Sequence, residues 1–155
     1  YGPASRGQSA VMRALSATDS IGGGEGIDES FQPDRQLENG EILTIAGQQI
    51  EVLHTPGHIG NHICLAWQGA CFTADHVMGW ASSLVSPPDG DLTDFMTSCA
   101  ILRERPWRTF YPGHGAQIDN PAERLDWLIA HRKGREAEIL KGLRHGPATR
   151  TLSTN

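Results

Sequence analysis

Three residues share one setting in this sequence. His58 follows Thr55-Pro56-Gly57, Asp75 closes an apolar run that starts at Ala70, and His114 stands between Pro112-Gly113 and Gly115. Each falls at or just beyond the end of a β-like run and beside turn-forming residues, where rigid strands present side chains to a cleft. Imidazole nitrogen and carboxylate oxygen suit Zn²⁺ and other borderline divalent ions, and a carboxylate can bridge two of them. Singly, a histidine after Pro-Gly is more often a turn residue than a ligand. The threefold recurrence of the setting is what makes a metal site at His58, Asp75 and His114 the expectation.

The other polar residues each have a plainer role beside a chemical one. His54 and His62 flank His58 and can be hydrogen-bond partners behind the ligand or simply packing and capping residues. His76 can face substrate or lie on the surface. Ser82 and Ser83 would need a base and an oxyanion hole to act as nucleophiles, and no motif indicates either. His131, Arg132, Arg135 and Glu136 lie on one long helical stretch, where ion pairing on a solvated face is the default. The glycines of Ile21-Gly22-Gly23-Gly24-Glu25-Gly26 have no Lys-Ser/Thr after them, so they read as a loop rather than a phosphate cradle.

The elements that position these residues follow from pattern and punctuation. Residues 8–17 carry Val11, Met12 and Leu15 at helical spacing before the glycines break the helix. Ile42-Leu43-Thr44-Ile45, a turn at Ala46-Gly47-Gln48 and the run 49–54 predict a hairpin. Residues 63–67, a tight Gln68-Gly69 turn and residues 70–75 predict a second. Beyond the Pro/Gly-rich stretch 86–91, a helix places Leu92, Phe95, Met96, Cys99 and Leu102 on one core-facing stripe. A short strand at Thr109-Phe110-Tyr111 leads to His114. Asn120, Pro121 and Glu123 then supply an N-cap, a first-turn proline and an acidic third position for a helix to about Leu143. Its apolar positions are Leu125, Leu128, Ile129, Ile139, Leu140 and Leu143.

The chain's 155 residues are 38% apolar and 20% charged, a balance that allows one globular core. The formal net charge of −5 gives no general attraction to nucleic acid. Cys64, Cys71 and Cys99 form no C-x-x-C, which disfavours both a disulfide framework and a thiolate zinc knuckle and points to a reducing cytoplasm. No run of 18 apolar residues occurs and the first residues are not a signal peptide, so no membrane partner is expected.

Thr55-Pro56-Gly57-His58, Phe72-Thr73-Ala74-Asp75 and Tyr111-Pro112-Gly113-His114-Gly115, in this order and with these intervals, resemble the later motifs of the metallo-β-lactamase superfamily. The resemblance covers roughly residues 35–143. It implies an α/β fold, the C-terminal half of a four-layer αββα sandwich, and metal-assisted hydrolysis by one or two Zn²⁺ ions. By the same resemblance His58 ligates the first metal, Asp75 bridges both and His114 ligates the second, which makes these three the catalytic set as well. Residues 75–80 and 86–91, with His131-Arg132, Arg135-Glu136 and Ile139-Leu140, look like the β-lactamase-like hydrolases that include the mitochondrial endoribonuclease. They look less like glyoxalase II, whose C-terminal substrate-binding helices are not evident.

The departure from the family pattern is equally specific. The leading His-x-His-x-Asp-His motif is nowhere in the chain. Reading Asp75-His76 as its end would need histidines where Cys71 and Thr73 stand. The chain is therefore expected to be truncated, with 1–143 a partial metallo-β-lactamase domain and 144–155 a linker or the start of a C-terminal extension. Expected partners are an ester, a thioester or an RNA substrate. A reading from a different class makes the chain a catalytically incomplete half-domain that assembles with a missing N-terminal segment or as a homodimer.

Overall fold

The computed structural model describes residues 30–144. The helix expected over 8–17, the glycine loop after it and the tail from 145 lie outside the described residues.

Five strands form one sheet in chain order: β1 (Ile42–Ile45), β2 (Gln48–His54), β3 (Ile63–Trp67), β4 (Ala70–Ala74) and β5 (Thr109–Pro112). Two-residue turns close the hairpins β1–β2 and β3–β4. Their central residues all have positive φ: Ala46 50°, Gly47 76°, Gln68 46° and Gly69 79°. Such turns match the twist of the strands they join, and glycine relieves the steric cost at the second position of each. Gln48 pairs with Ile45, so it belongs to β2 rather than to the turn.

β4 and β5 run parallel. A parallel pair needs a crossover rather than a tight turn, and here the crossover carries helix α1 (Leu92–Arg103). Asp91 caps α1, accepting from the backbone N–H of Thr93 at 2.8 Å and of Asp94 at 3.2 Å. Helix α2 (Pro121–Leu143) follows β5. Asn120 occupies its N-cap position but makes no side-chain cap bond. The preset φ of Pro121 and the acidic Glu123 favour the helix start in its place.

Strand alternation sends Leu53, Cys64, Ala66, Cys71 and Phe110 to one face, where Phe95, Cys99 and Leu102 of α1 and Leu125 and Leu128 of α2 meet them. Leu92, expected on the core stripe of α1, is 42% exposed in the first turn. Ile139, Leu140 and Leu143, named above among the apolar positions of α2, are likewise exposed. The reason is length: α2 has 23 residues and α1 only 12, so the last turns of α2 run past the helix that covers its beginning.

The opposite face carries Val52, Leu65, Phe72 and Tyr111 in register across β2 to β5. Phe72 and Tyr111 stack with ring centroids 5.4 Å apart and are 41% and 38% exposed. A sheet with helices on one face and an apolar, half-open stripe on the other is one half of an αββα sandwich. No helix among the described residues is long and apolar enough to cross a membrane.

Candidate metal centre

The parallel pairing of β4 and β5 brings their C-terminal ends side by side, with Ala74 opposite Pro112. A register shift between Phe72 and Ala74, together with a φ of 43° at Ala74, turns the chain out of the ladder just before Asp75. A non-glycine residue with such a φ is costly and persists only where its surroundings impose it. Here Gly113 N–H donates to Ala74 O at 2.8 Å. A Cβ at Gly113 would lie 2.6 Å from Asp75 Oδ1, so the absence of a side chain there gives the carboxylate its space. His114 comes next, and the indole of Trp80 rests on Gly115, where a Cβ would meet Trp80 Cδ1 at 2.8 Å.

His58 arrives on a loop docked against the start of α1. Gly57 O accepts from Asp91 N–H at 2.9 Å and Pro56 O accepts from Ser98 Oγ at 2.7 Å. Gly57 has φ 143°, and a Cβ there would lie 2.3 Å from Phe95 Cα. Only glycine permits that approach. The His58 ring then meets Leu84 O, 2.6 Å from Nδ1. A carbonyl can only accept, so Nδ1 carries the proton and Nε2 presents a lone pair.

His58 Nε2 lies 4.0 Å from Asp75 Oδ2 and His114 Nε2 lies 3.5 Å from Asp75 Oδ1. Asp75 Oδ1 is buried without a hydrogen-bond partner. One carboxylate is thus flanked by an imidazole on each oxygen. Among the described residues no group of three His, Cys, Asp or Glu side chains is placed to hold a metal ion by itself. The chemistry of the donors suits a divalent cation: borderline nitrogen and oxygen ligands, and a carboxylate oxygen buried without a partner.

His54, His62 and His76 each have contacts of their own. His54 Nε2 is 3.1 Å from Gly60 O, and His62 Nδ1 is 2.9 Å from Thr55 Oγ1. His76 is neither on the surface nor facing an opening: it is fully buried, its ring 4.6 Å from that of Phe95 and 5.4 Å from that of His62. Burial first, then the neighbouring His62 and His58, holds its pKa well below the usual histidine value. Burial also pushes the Cys99 thiol up to about 12, and its Sγ lies 3.7 Å from His76 Nε2. Ser83 is buried and donates to His76 O at 2.8 Å, a structural tie.

On α2, His131 stacks on Trp127 at 4.8 Å and Arg135 pairs with Glu138 at 3.1 Å, both on the exposed side. Arg132 departs from the expected solvated face and donates through Nη2 to Ser83 O. Arg124 donates to Met78 O and Ala81 O, each at 2.7 Å. Sequence reasoning missed both arginines because their acceptors are backbone carbonyls, which no side-chain pattern marks. The spacing of Arg124, Leu128 and Arg132 along one inward-facing row was the available signal.

A cleft of about 300 Å³ lined by Glu51, Trp67, Arg105 and Trp107 sits at the opposite end of β4 from Asp75. Its two charges neutralise each other, Arg105 Nη2 lying 2.5 Å from Glu51 Oε2.

No family model matches the chain. Relatives do. The chain is 33% identical over 119 residues to a beta-lactamase-like protein 2 homolog of Caenorhabditis elegans, covering 76% of this chain and 39% of that protein. It is 30% identical over 120 residues to the atrochrysone carboxyl ACP thioesterase of Aspergillus fumigatus, covering 74% and 37% respectively. Among solved structures, a metallo-beta-lactamase family protein of Thermus thermophilus superposes with TM-score 0.66 at 28% identity, over 72% of this chain and 39% of that one. The chain therefore spans about two fifths of the length of each of these three proteins.

Proposed function

Because the chain belongs to the metallo-β-lactamase superfamily, we propose that it is the C-terminal part of a metal-dependent hydrolase whose centre includes His58, Asp75 and His114. The observation that supports this most directly is the Asp75 carboxylate, flanked on its two oxygens by His58 Nε2 at 4.0 Å and His114 Nε2 at 3.5 Å. His58 and His114 would each hold one divalent ion, Zn²⁺ by donor chemistry, and Asp75 would hold both. Such ions supply Lewis acidity and lower the pKa of water. His58 is oriented for this by Leu84 O. Gly113 leaves Asp75 room, and the exposed His114 closes the other side. Three donors are too few for two ions. The other ligands would come from an N-terminal segment not contained in the 155 residues, with 1–143 a partial domain and 144–155 a linker or the beginning of an extension.

An ester or thioester is the favoured substrate, supported by the thioesterase among the relatives. RNA is the alternative, and the net charge of −5 weighs against it. The setting would be the cytoplasm. A second reading, favoured by the half-exposed Phe72–Tyr111 stripe, treats the isolated chain as a half-domain that pairs through this face with the missing segment or with itself. Co-expression with the front half of a relative tests the first reading. The assembled protein should hydrolyse a thioester, and chelator should abolish turnover. Chelator-resistant hydrolysis by the 155-residue chain alone would overturn it. Sedimentation of the isolated chain, with and without Phe72→Ser, tests the second.

A further inference from the structure

Arg132 lies one helical turn beyond the buried Leu128, is half-buried, and places Cζ 5.2 Å over the ring of Phe95. Desolvation lowers its pKa below the usual guanidinium value, so an arginine here needs a compensating partner. It has one in Ser83 O. Ser83 is a junction: its hydroxyl donates to the carbonyl of His76, the residue after Asp75, at 2.8 Å. The next carbonyl in the chain, Leu84 O, accepts from His58 Nδ1 at 2.6 Å. Phe95, under the guanidinium, is the residue whose backbone closes on Gly57, adjacent to His58.

The segment between β4 and α1 has no ladder to satisfy its carbonyls over residues 77–86, yet buried carbonyls need donors. Arg124 supplies them for Met78 and Ala81, and Arg132 supplies one for Ser83. We infer that Arg132 is a positioning residue: by holding Ser83 O it fixes the neighbouring Leu84 carbonyl, and so keeps the His58 imidazole with Nδ1 protonated and Nε2 turned to Asp75. Arginine suits the task because its planar group stays charged when partly desolvated and stacks on a ring while donating at its edge. The orientation of His58 needs no metal. Its consequence for metal affinity rests on the proposed function.

The test uses the full 155-residue chain, ¹⁵N-labelled and metal-free at pH 8, with the imidazole nitrogens read by long-range ¹⁵N–¹H correlation and His58 assigned by loss of its signals in His58→Gln. The wild-type ring should be the Nδ1–H tautomer. Arg132→Met, which keeps the packing on Phe95 but has no donor, should shift His58 toward Nε2–H. It should also weaken Zn²⁺ binding, measured by chelator competition, about 10-fold. Arg135→Gln, on the exposed side, should change neither. Should Arg132→Met fail to fold by circular dichroism, Arg132→Gln, polar but too short to reach Ser83, carries the same comparison. A folded Arg132 variant with His58 still wholly Nδ1–H overturns the inference. A tautomer shift that leaves Zn²⁺ affinity unchanged would sustain the positioning role and sink His58 as a metal ligand.

Discussion

Gly113 lies so close to Asp75 that a Cβ at position 113 would stand 2.6 Å from the carboxylate Oδ1. The atom in the way is the side-chain tip of the residue that both histidines approach, so Gly113→Ala should act on the site before it acts on the fold. We expect a stability loss of about 1–3 kcal/mol, the usual cost of overpacking, with a displaced Asp75. Urea denaturation gives the first. A Zn²⁺ affinity unchanged from wild type would contradict the second.

Gly57→Ala should be worse. Its Cβ would meet Phe95 Cα at 2.3 Å and Phe95 N at 2.6 Å, and helix backbone cannot swing aside as a carboxylate can. Loss of cooperative unfolding, or a destabilisation above about 3 kcal/mol, is expected. Gly134 is the opposite case: it lies within α2 with nothing within 4 Å of its would-be Cβ. Gly134→Ala should stabilise by about 0.5–1 kcal/mol, and a drop in melting temperature would refute that.

Metal binding by the chain alone should be weak or sub-stoichiometric, since open coordination positions would be filled by water. Equilibrium dialysis followed by elemental analysis measures it. Asp75→Ala should remove what binding there is, because both histidines share that carboxylate, whereas His58→Ala and His114→Ala should each leave a remnant. Two tightly held ions per chain, with no partner chain present, would contradict the missing-ligand argument.

Cys99 links stability to alkaline pH. Burial raises its pKa from 9.0 to about 12, so between those values the unfolded chain sheds a proton that the folded chain retains. The stabilising contribution is complete below pH 9 and declines as pH rises toward 12, by at most about 1.4 kcal/mol per pH unit. Urea midpoints at pH 8 and 10 for wild type and Cys99→Ala should show the steeper fall in wild type. Parallel curves would remove Cys99 as the cause.

The local structure was legible because it depends on neighbours in the chain. The alternation of residues 63–67 and 70–74, the Gln68-Gly69 turn and Pro121 at the head of α2 all sit where side-chain period and turn chemistry put them. That Asp75 and His114 fall just beyond the ends of β4 and β5 was legible for the same reason, whereas His58 stands on a loop four residues past the end of β2. What the linear pattern could not carry was decided by packing between distant elements. Ile139, Leu140 and Leu143 are apolar positions of α2, but burial requires an opposing surface, and α1 ends too soon to provide one. A helical arginine looks solvated until a loop 49 residues away presents an unsatisfied carbonyl to it, as Ser83 does to Arg132. The sequence by itself determined which residues the proposed centre draws on. Only the tertiary structure decided how they face one another, because the tautomer of His58 and the space around Asp75 are set by Leu84 O and Gly113, contacts across 26 and 38 residues of chain that no local preference encodes.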